Sequence, residues 1–170
     1  MRFRACCLLS TAIAMGLALQ NAGAEDNMVH GAMSTSKFVN FPGLPTCLTL
    51  SVQHGDPSNG PSVILAKFAK GCAVPWHWHT ADEQLMIVSG SGKVEMKDSP
   101  AASVRSGDYV LLPAKHPHQF TCVAACTLFI APSGAFDIHY VDKDGKEISP
   151  DEALKSKMKA PLKKGIENVA

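Results

Sequence analysis

The sequence predicts an all-β fold, a small sandwich or barrel with one short helix at its C-terminal end. Three observations carry this. Short apolar runs recur at residues 63–68, 84–88, 93–96, 109–112, 118–123, 127–131 and 136–141, separated by turn signals. Val, Ile, Phe and Thr are frequent in them, which suits a pleated, half-buried surface. No stretch between residues 41 and 148 sustains a 3.6-residue period over about ten residues, as an amphipathic helix would.

The elements follow in order. Residues 25–40 are polar, with Gly31 and several Ser and Thr, and read as a flexible N-terminal arm. Phe41-Pro42-Gly43-Leu44-Pro45 is rich in turn residues, and residues 46–52 read as a strand. Gly55-Asp56-Pro57-Ser58-Asn59-Gly60-Pro61 is loop by composition. The apolar runs then complete a β domain over residues 41–148. Ser149 as cap, Pro150 in the first helical position, and Asp151 and Glu152 in the first turn predict a helix start. Five Lys follow between residues 155 and 164, so 149–170 reads as a helix and a solvated Lys-rich tail.

The first 24 residues stand apart. Arg2 and Arg4 give a basic start, and residues 5–19 form an apolar run broken by Ser10, Thr11 and Gly16. Ala22-Gly23-Ala24 offers small residues where a signal peptidase reads. This pattern predicts a secretory signal peptide over 1–24, cleavage before Glu25, and a periplasmic or extracellular mature chain. The run is shorter than the roughly 20 residues of a membrane span, which counts against an uncleaved anchor. Cys6 and Cys7 lie at the start of the run and not after it, which counts against a lipoprotein signal. Cleavage removes two Arg and no acid, turning a formal net charge of +1 into −1.

Composition excludes several classes. With 170 residues the chain predicts one domain, and 46% hydrophobic against 18% charged residues excludes intrinsic disorder. A near-neutral charge leaves no electrostatic footprint for nucleic acid, and 6% aromatic content argues against base stacking.

Four of the seven His fall in two close pairs. His77 and His79, in Pro75-Trp76-His77-Trp78-His79, point to one face of a strand. Glu83 follows across a short turn, where a bend can return its carboxylate to the same space. Two imidazoles and a carboxylate on one face suit a borderline divalent metal. His116 and His118, with Pro117 between them, also share a parity, and either can supply a third imidazole.

These residues carry a family resemblance. Gly71, His77, His79, Glu83 and Gly90 match the first cupin motif at every fixed position. Gly107, Pro113 and His118 resemble the second motif, with two departures. Lys115 stands where the motif usually has Gly, and Cys122 where a polar residue is common. The segment 41–141 is also similar to small single-domain secreted bacterial cupins, in its Gly-Asp-Pro loop and in a final run like Phe136-Asp137-Ile138-His139-Tyr140-Val141. The resemblance implies a jelly-roll β-barrel. It further implies that His77, His79, Glu83 and His118 hold one divalent transition metal ion (Fe, Mn, Zn, Ni or Cu) at the barrel centre. An octahedral ion so held keeps two positions open for water, substrate or oxygen. The motif spacing favours His118 over His116. His116 is then a mouth residue, or it orients a ligand by a hydrogen bond.

Parity extends the site. If Glu83 points inward, Leu85 and Ile87 line an apolar pocket, and Phe120 and Cys122 share the parity of His118. Trp76 and Trp78 fall on the opposite face as packing or rim. Asp82 reads as a solvated turn residue and Arg105, before the Ser106-Gly107 turn, as a surface residue. Cys122 and Cys126 flank three residues, so a hairpin there would bring them into disulfide range; buried free thiols and a redox pair are the other readings. The pairing of Cys47 and Cys72 stays open.

The function expected is that of an exported metal-dependent enzyme acting on a small organic molecule. Its chemistry is dioxygenase-like oxidation, or Lewis-acid isomerase or lyase chemistry. The alternative is a non-catalytic module that binds or senses a metal or small ligand. Tyr109, Glu95 and His116 are candidates for a general acid or base. The partner expected is a small-molecule substrate or ligand, with no nucleic acid and no transmembrane span in the mature chain. A homodimer is left open.

Overall fold

The computed structural model describes residues 28–158, and the signal peptide expected over 1–24 and the end of the Lys-rich tail lie outside them. Among these residues, ten strands form two five-stranded antiparallel sheets. They are β1 (Leu48–Gly55), β2 (Ser62–Phe68), β3 (Ala73–Trp78), β4 (Glu83–Ser89), β5 (Ser91–Met96), β6 (Ala102–Arg105), β7 (Tyr109–Leu112), β8 (His118–Cys122), β9 (Cys126–Pro132) and β10 (His139–Tyr140). One sheet runs in the order β1-β2-β9-β4-β7, the other β10-β3-β8-β5-β6. From β2 to β5 and from β6 to β10 consecutive strands alternate between the sheets, as in a jelly roll, and the core fills the space between them.

Period-2 burial builds that core. Leu48 and Leu50 on β1, Ile64 on β2, Leu85 and Ile87 on β4, Phe120 and Cys122 on β8, and Leu128 and Ile130 on β9 are all buried. Phe68 and Phe120, from opposite sheets, meet edge to face at 5.4 Å. Gly90, which closes the first motif, has φ +81°, and a Cβ there would sit 2.1 Å from the Ala125 carbonyl oxygen. Only glycine fits this β4–β5 turn, which moves the chain from one sheet to the other.

Helix α1 (Pro150–Met158) begins as its cap predicts, with the Glu152 amide donating to Ser149 Oγ at 3.2 Å. Among the described residues, no helix is long and apolar enough to cross a membrane.

Three expectations are revised. The arm at 25–40 is tied down in its second half. Val39 and Leu50 exchange backbone hydrogen bonds, and Asn40 Nδ2 donates to the carbonyls of Thr46 and Leu48. The run at 136–141 is strand only at His139–Tyr140. Finally, Cys122 and Cys126 do form a disulfide, but not across a hairpin. They end β8 and begin β9, which belong to different sheets, so the bridge ties one sheet to the other. A second disulfide joins Cys47 to Cys72.

Candidate metal centre

His77 lies on β3, His79 just beyond it, Glu83 opens β4 and His118 opens β8. His77 and His118 are direct cross-strand partners, which places their rings 4.3 Å apart. Glu83 comes from the opposite sheet, so the four side chains meet in the barrel interior. Each offers one ligand atom, and these atoms lie within 4.8 Å of one another. All four residues are buried.

Each imidazole is held through Nδ1 by a backbone carbonyl: His77 by Pro75 at 2.6 Å, His118 by His116 at 2.9 Å, and His79 by Asp137. A carbonyl accepts only, so Nδ1 carries the proton in the neutral ring and Nε2 presents its lone pair. The Nε2 atoms of His79 and His118 are buried without a hydrogen-bond partner. They stand 3.6 and 3.5 Å from Glu83 Oε2. Donors about 2.1 Å from one shared ion can be at most about 4.2 Å apart. Sub-ångström shifts therefore bring this set onto a single ion, and the donor set fits a divalent transition metal.

The electrostatics agree with that fit. Burial, and then the adjacent His118 and His79, hold His77 well below the ordinary imidazole pKa, so it is neutral. Burial also works to lower His79, but the Glu83 carboxylate outweighs it and raises the pKa. Burial would raise Glu83, yet His79 and His118 drive it far below the usual carboxylate range. The site holds a formed carboxylate and at least one imidazole that needs no deprotonation.

A narrow cavity adjoins the four residues. Its walls include Leu44, Leu48, Leu50, Phe68, Leu85 and Phe120, with Phe136 and Ile138 half-buried. The centre of a water-sized sphere sweeps only about 30 Å³ of it. The wall is apolar apart from the four cluster residues. Of the expected pocket residues, Leu85 and Phe120 line the cavity while Ile87 and Cys122 do not. Those two share the inward parity, but Cys122 is four residues from His118, roughly 13 Å along a strand, and both are spent in the core.

Other expectations resolve as follows. His116 is exposed and reaches the centre only through its carbonyl, so its imidazole is no rival to that of His118. Tyr109 is 57% exposed and bonded to Gln84, and Glu95 is engaged by Lys93 and Gln119, so neither faces the cavity. Arg105 is exposed, and Trp78 stacks outside on His139 at 3.9 Å. Asp82 is not merely solvated: Oδ1 accepts from the Ala114 amide at 2.7 Å and joins the two motif loops. The sequence reading missed Asp137, Phe136 and Ile138. The two-residue spacing of Phe136 and Ile138 was the only signal available for them.

The Cupin domain family matches residues 64–131, from β2 to β9. No curated protein matches the chain in sequence. Several solved structures share its fold. The polyketide cyclase RemF from Streptomyces resistomycificus is 18% identical with a TM-score of 0.62, over 79% of this chain and 95% of that one. An RmlC-like cupin from Shewanella frigidimarina is 15% identical with a TM-score of 0.54, over 65% and 93%. The DMSP lyase DddQ from Ruegeria pomeroyi is 16% identical with a TM-score of 0.55, over 66% and 64%.

Proposed function

We propose that this chain, which matches the Cupin domain family over residues 64–131 and converges three imidazoles and one carboxylate on a buried point, is an exported metal-dependent enzyme acting on a small, largely apolar organic molecule. One observation carries the reading: each imidazole is fixed through Nδ1 by a backbone carbonyl, which aims its Nε2 at a common centre. That arrangement orients metal ligands and raises their basicity.

His77, His79, Glu83 and His118 hold one divalent ion. The ion supplies Lewis acidity and, if it is a redox metal, electrons. The chain's own residues do the rest. Leu85, Phe120, Phe136 and Ile138 exclude water and seat an apolar group against the centre. Beyond its ligands the cavity wall offers no ionisable side chain, which favours dioxygenase-like oxidation over isomerase or lyase chemistry that needs a separate proton acceptor. The same wall also suits a module that binds a small ligand without turnover.

The test is oxygen uptake by the iron-loaded protein across a panel of small apolar and aromatic compounds. The enzyme reading expects uptake with at least one compound, lost in His77→Ala. Tight binding of a compound with no turnover under any of the five metals would support the binding module instead. Export is tested by mass spectrometry of the secreted protein, which should begin at Glu25; an intact Met1 would contradict it.

A further inference from the structure

His77 and His118 are each held by a carbonyl two residues upstream, from Pro75 and His116. Their orientation is therefore set locally, by the strand or loop that carries them. His79 differs: the carbonyl on its Nδ1 belongs to Asp137, 58 residues away. The aim of this ligand depends on where the segment 133–139 lies.

That segment lines the cavity through Phe136 and Ile138 and is pinned along its length. The Ser133 amide donates to the Asp82 carbonyl at 2.9 Å, and the Phe136 amide to the Pro57 carbonyl at 2.7 Å. Both oxygens of the Asp137 carboxylate are engaged. Oδ1 accepts from the Thr80 amide at 2.8 Å, and Oδ2 lies 3.3 Å from His139 Nε2. The Thr80 amide follows His79 directly in the chain. Asp137 thus grips His79 twice, by its carbonyl on the ring and by its carboxylate on the next peptide.

We infer that Asp137 is a positioning residue for the metal ligand His79, its carboxylate clamping the Thr80 amide so that its carbonyl stays aimed at His79 Nδ1. The inference rests on the metal-binding reading above. It deepens that reading by making the cavity wall and the ligand orientation one mechanical unit. Phe136 and Ile138, on either side of Asp137, line the cavity, and the Phe136 ring sits 5.1 Å from the His79 ring.

The experiment titrates wild type, Asp137→Ala and Asp137→Asn with zinc, and records the visible spectrum of each after cobalt loading. Both variants keep the carbonyl; only Asn keeps an oxygen able to accept from Thr80. Loss of an outer partner costs roughly 10–100-fold in metal affinity, so Asp137→Ala should fall in that range and change the cobalt spectrum. Asp137→Asn should stay within about threefold of wild type, on the same rule. Wild-type affinity and spectrum in Asp137→Ala would overturn the inference and leave the metal reading standing. Equal weakening in both variants would also overturn it, because charge and not the clamp would then be responsible. A wild type that binds no zinc would overturn the metal reading itself. Should the Ala variant fail to fold, amide exchange in the wild type still decides. The exposed Thr80 amide should be protected at least about tenfold, and exchange at the unprotected rate would refute the clamp.

Discussion

The Lys115 amide donates to the His79 carbonyl oxygen at 2.8 Å, with Lys115 itself in the left-handed region at φ 59°. Lysine thus adopts the backbone that the second motif ordinarily assigns to glycine, and its N–H couples the loop before His118 to the strand end that carries His79. A non-glycine residue in that region costs about 1–2 kcal/mol. Gly would relieve this but would add about 0.4–1 kcal/mol of unfolded-state freedom. Lys115→Gly should therefore leave stability within about 1 kcal/mol of wild type. Lys115→Pro removes the N–H and forbids the φ, and should destabilise by about 3 kcal/mol. Chemical denaturation checks both; equal stability of the Pro variant would refute the coupling.

The two imidazoles of the second pair should behave differently. His116→Ala retains the carbonyl that holds His118 Nδ1, so zinc affinity should change by about threefold at most, well inside the 10–100-fold range for an outer partner. His118→Ala removes a direct donor and should exceed about 100-fold. A reversed order in calorimetric titration would overturn the assignment.

pH dependence follows from the opposed shifts at the centre. The pKa of His79 is raised above 6.5 in the fold, so its stabilising contribution is complete below 6.5 and is lost as pH rises through the raised value. Glu83 is depressed below 4.5, so its contribution is complete above 4.5 and is lost as pH falls toward the depressed value. The pair therefore supports the metal-free fold between about pH 4.5 and 6.5. In that window a metal must displace the His79 proton, whereas His77 is already neutral. Zinc affinity should rise with pH there as the His79 proton is released. A flat profile with no proton release contradicts this protonation pattern.

The two disulfides should contribute unequally. The bridge between Cys47 and Cys72 has a sequence separation of 25, and Cys122–Cys126 of 4. Loop-closure entropy gives about 3.5 kcal/mol for the first and about 2 kcal/mol for the second. The Cys47→Ser/Cys72→Ser variant should melt lower than Cys122→Ser/Cys126→Ser. The second variant instead loosens the junction between β8 and β9, so its metal affinity should fall by more than its melting temperature suggests. Equal metal affinity in the two variants would contradict this.

The fold and the clustering of His77, His79, Glu83 and His118 were legible because they depend on local pattern. Alternation at Leu85 and Ile87 and the spacing from Gly71 to Gly90 are written within single strands and turns. β6 was not legible: Ala102, Ser103, Val104 and Arg105 bury only Val104, so no apolar run marks it. Within β3, Pro75 sits at a register irregularity, where proline is tolerated and the ladder signal is weak. The segment 136–138 read as strand because its side chains alternate. In the fold its backbone serves His79 and Pro57 instead of a ladder. A carbonyl acting across 58 residues leaves no trace in side-chain identity. The sheet-to-sheet role of Cys122–Cys126 was likewise hidden, because a three-residue spacing looks the same in a hairpin and in a sheet crossing.

On the proposed reading, His77, His79, Glu83 and His118 hold one divalent ion. The most direct measurement is elemental analysis of the untagged protein purified without chelators, beside the His77→Ala/His79→Ala variant. Close to one equivalent of a divalent transition metal is expected in the wild type, with a loss to background in the variant. A full equivalent retained by the variant at native affinity would contradict it.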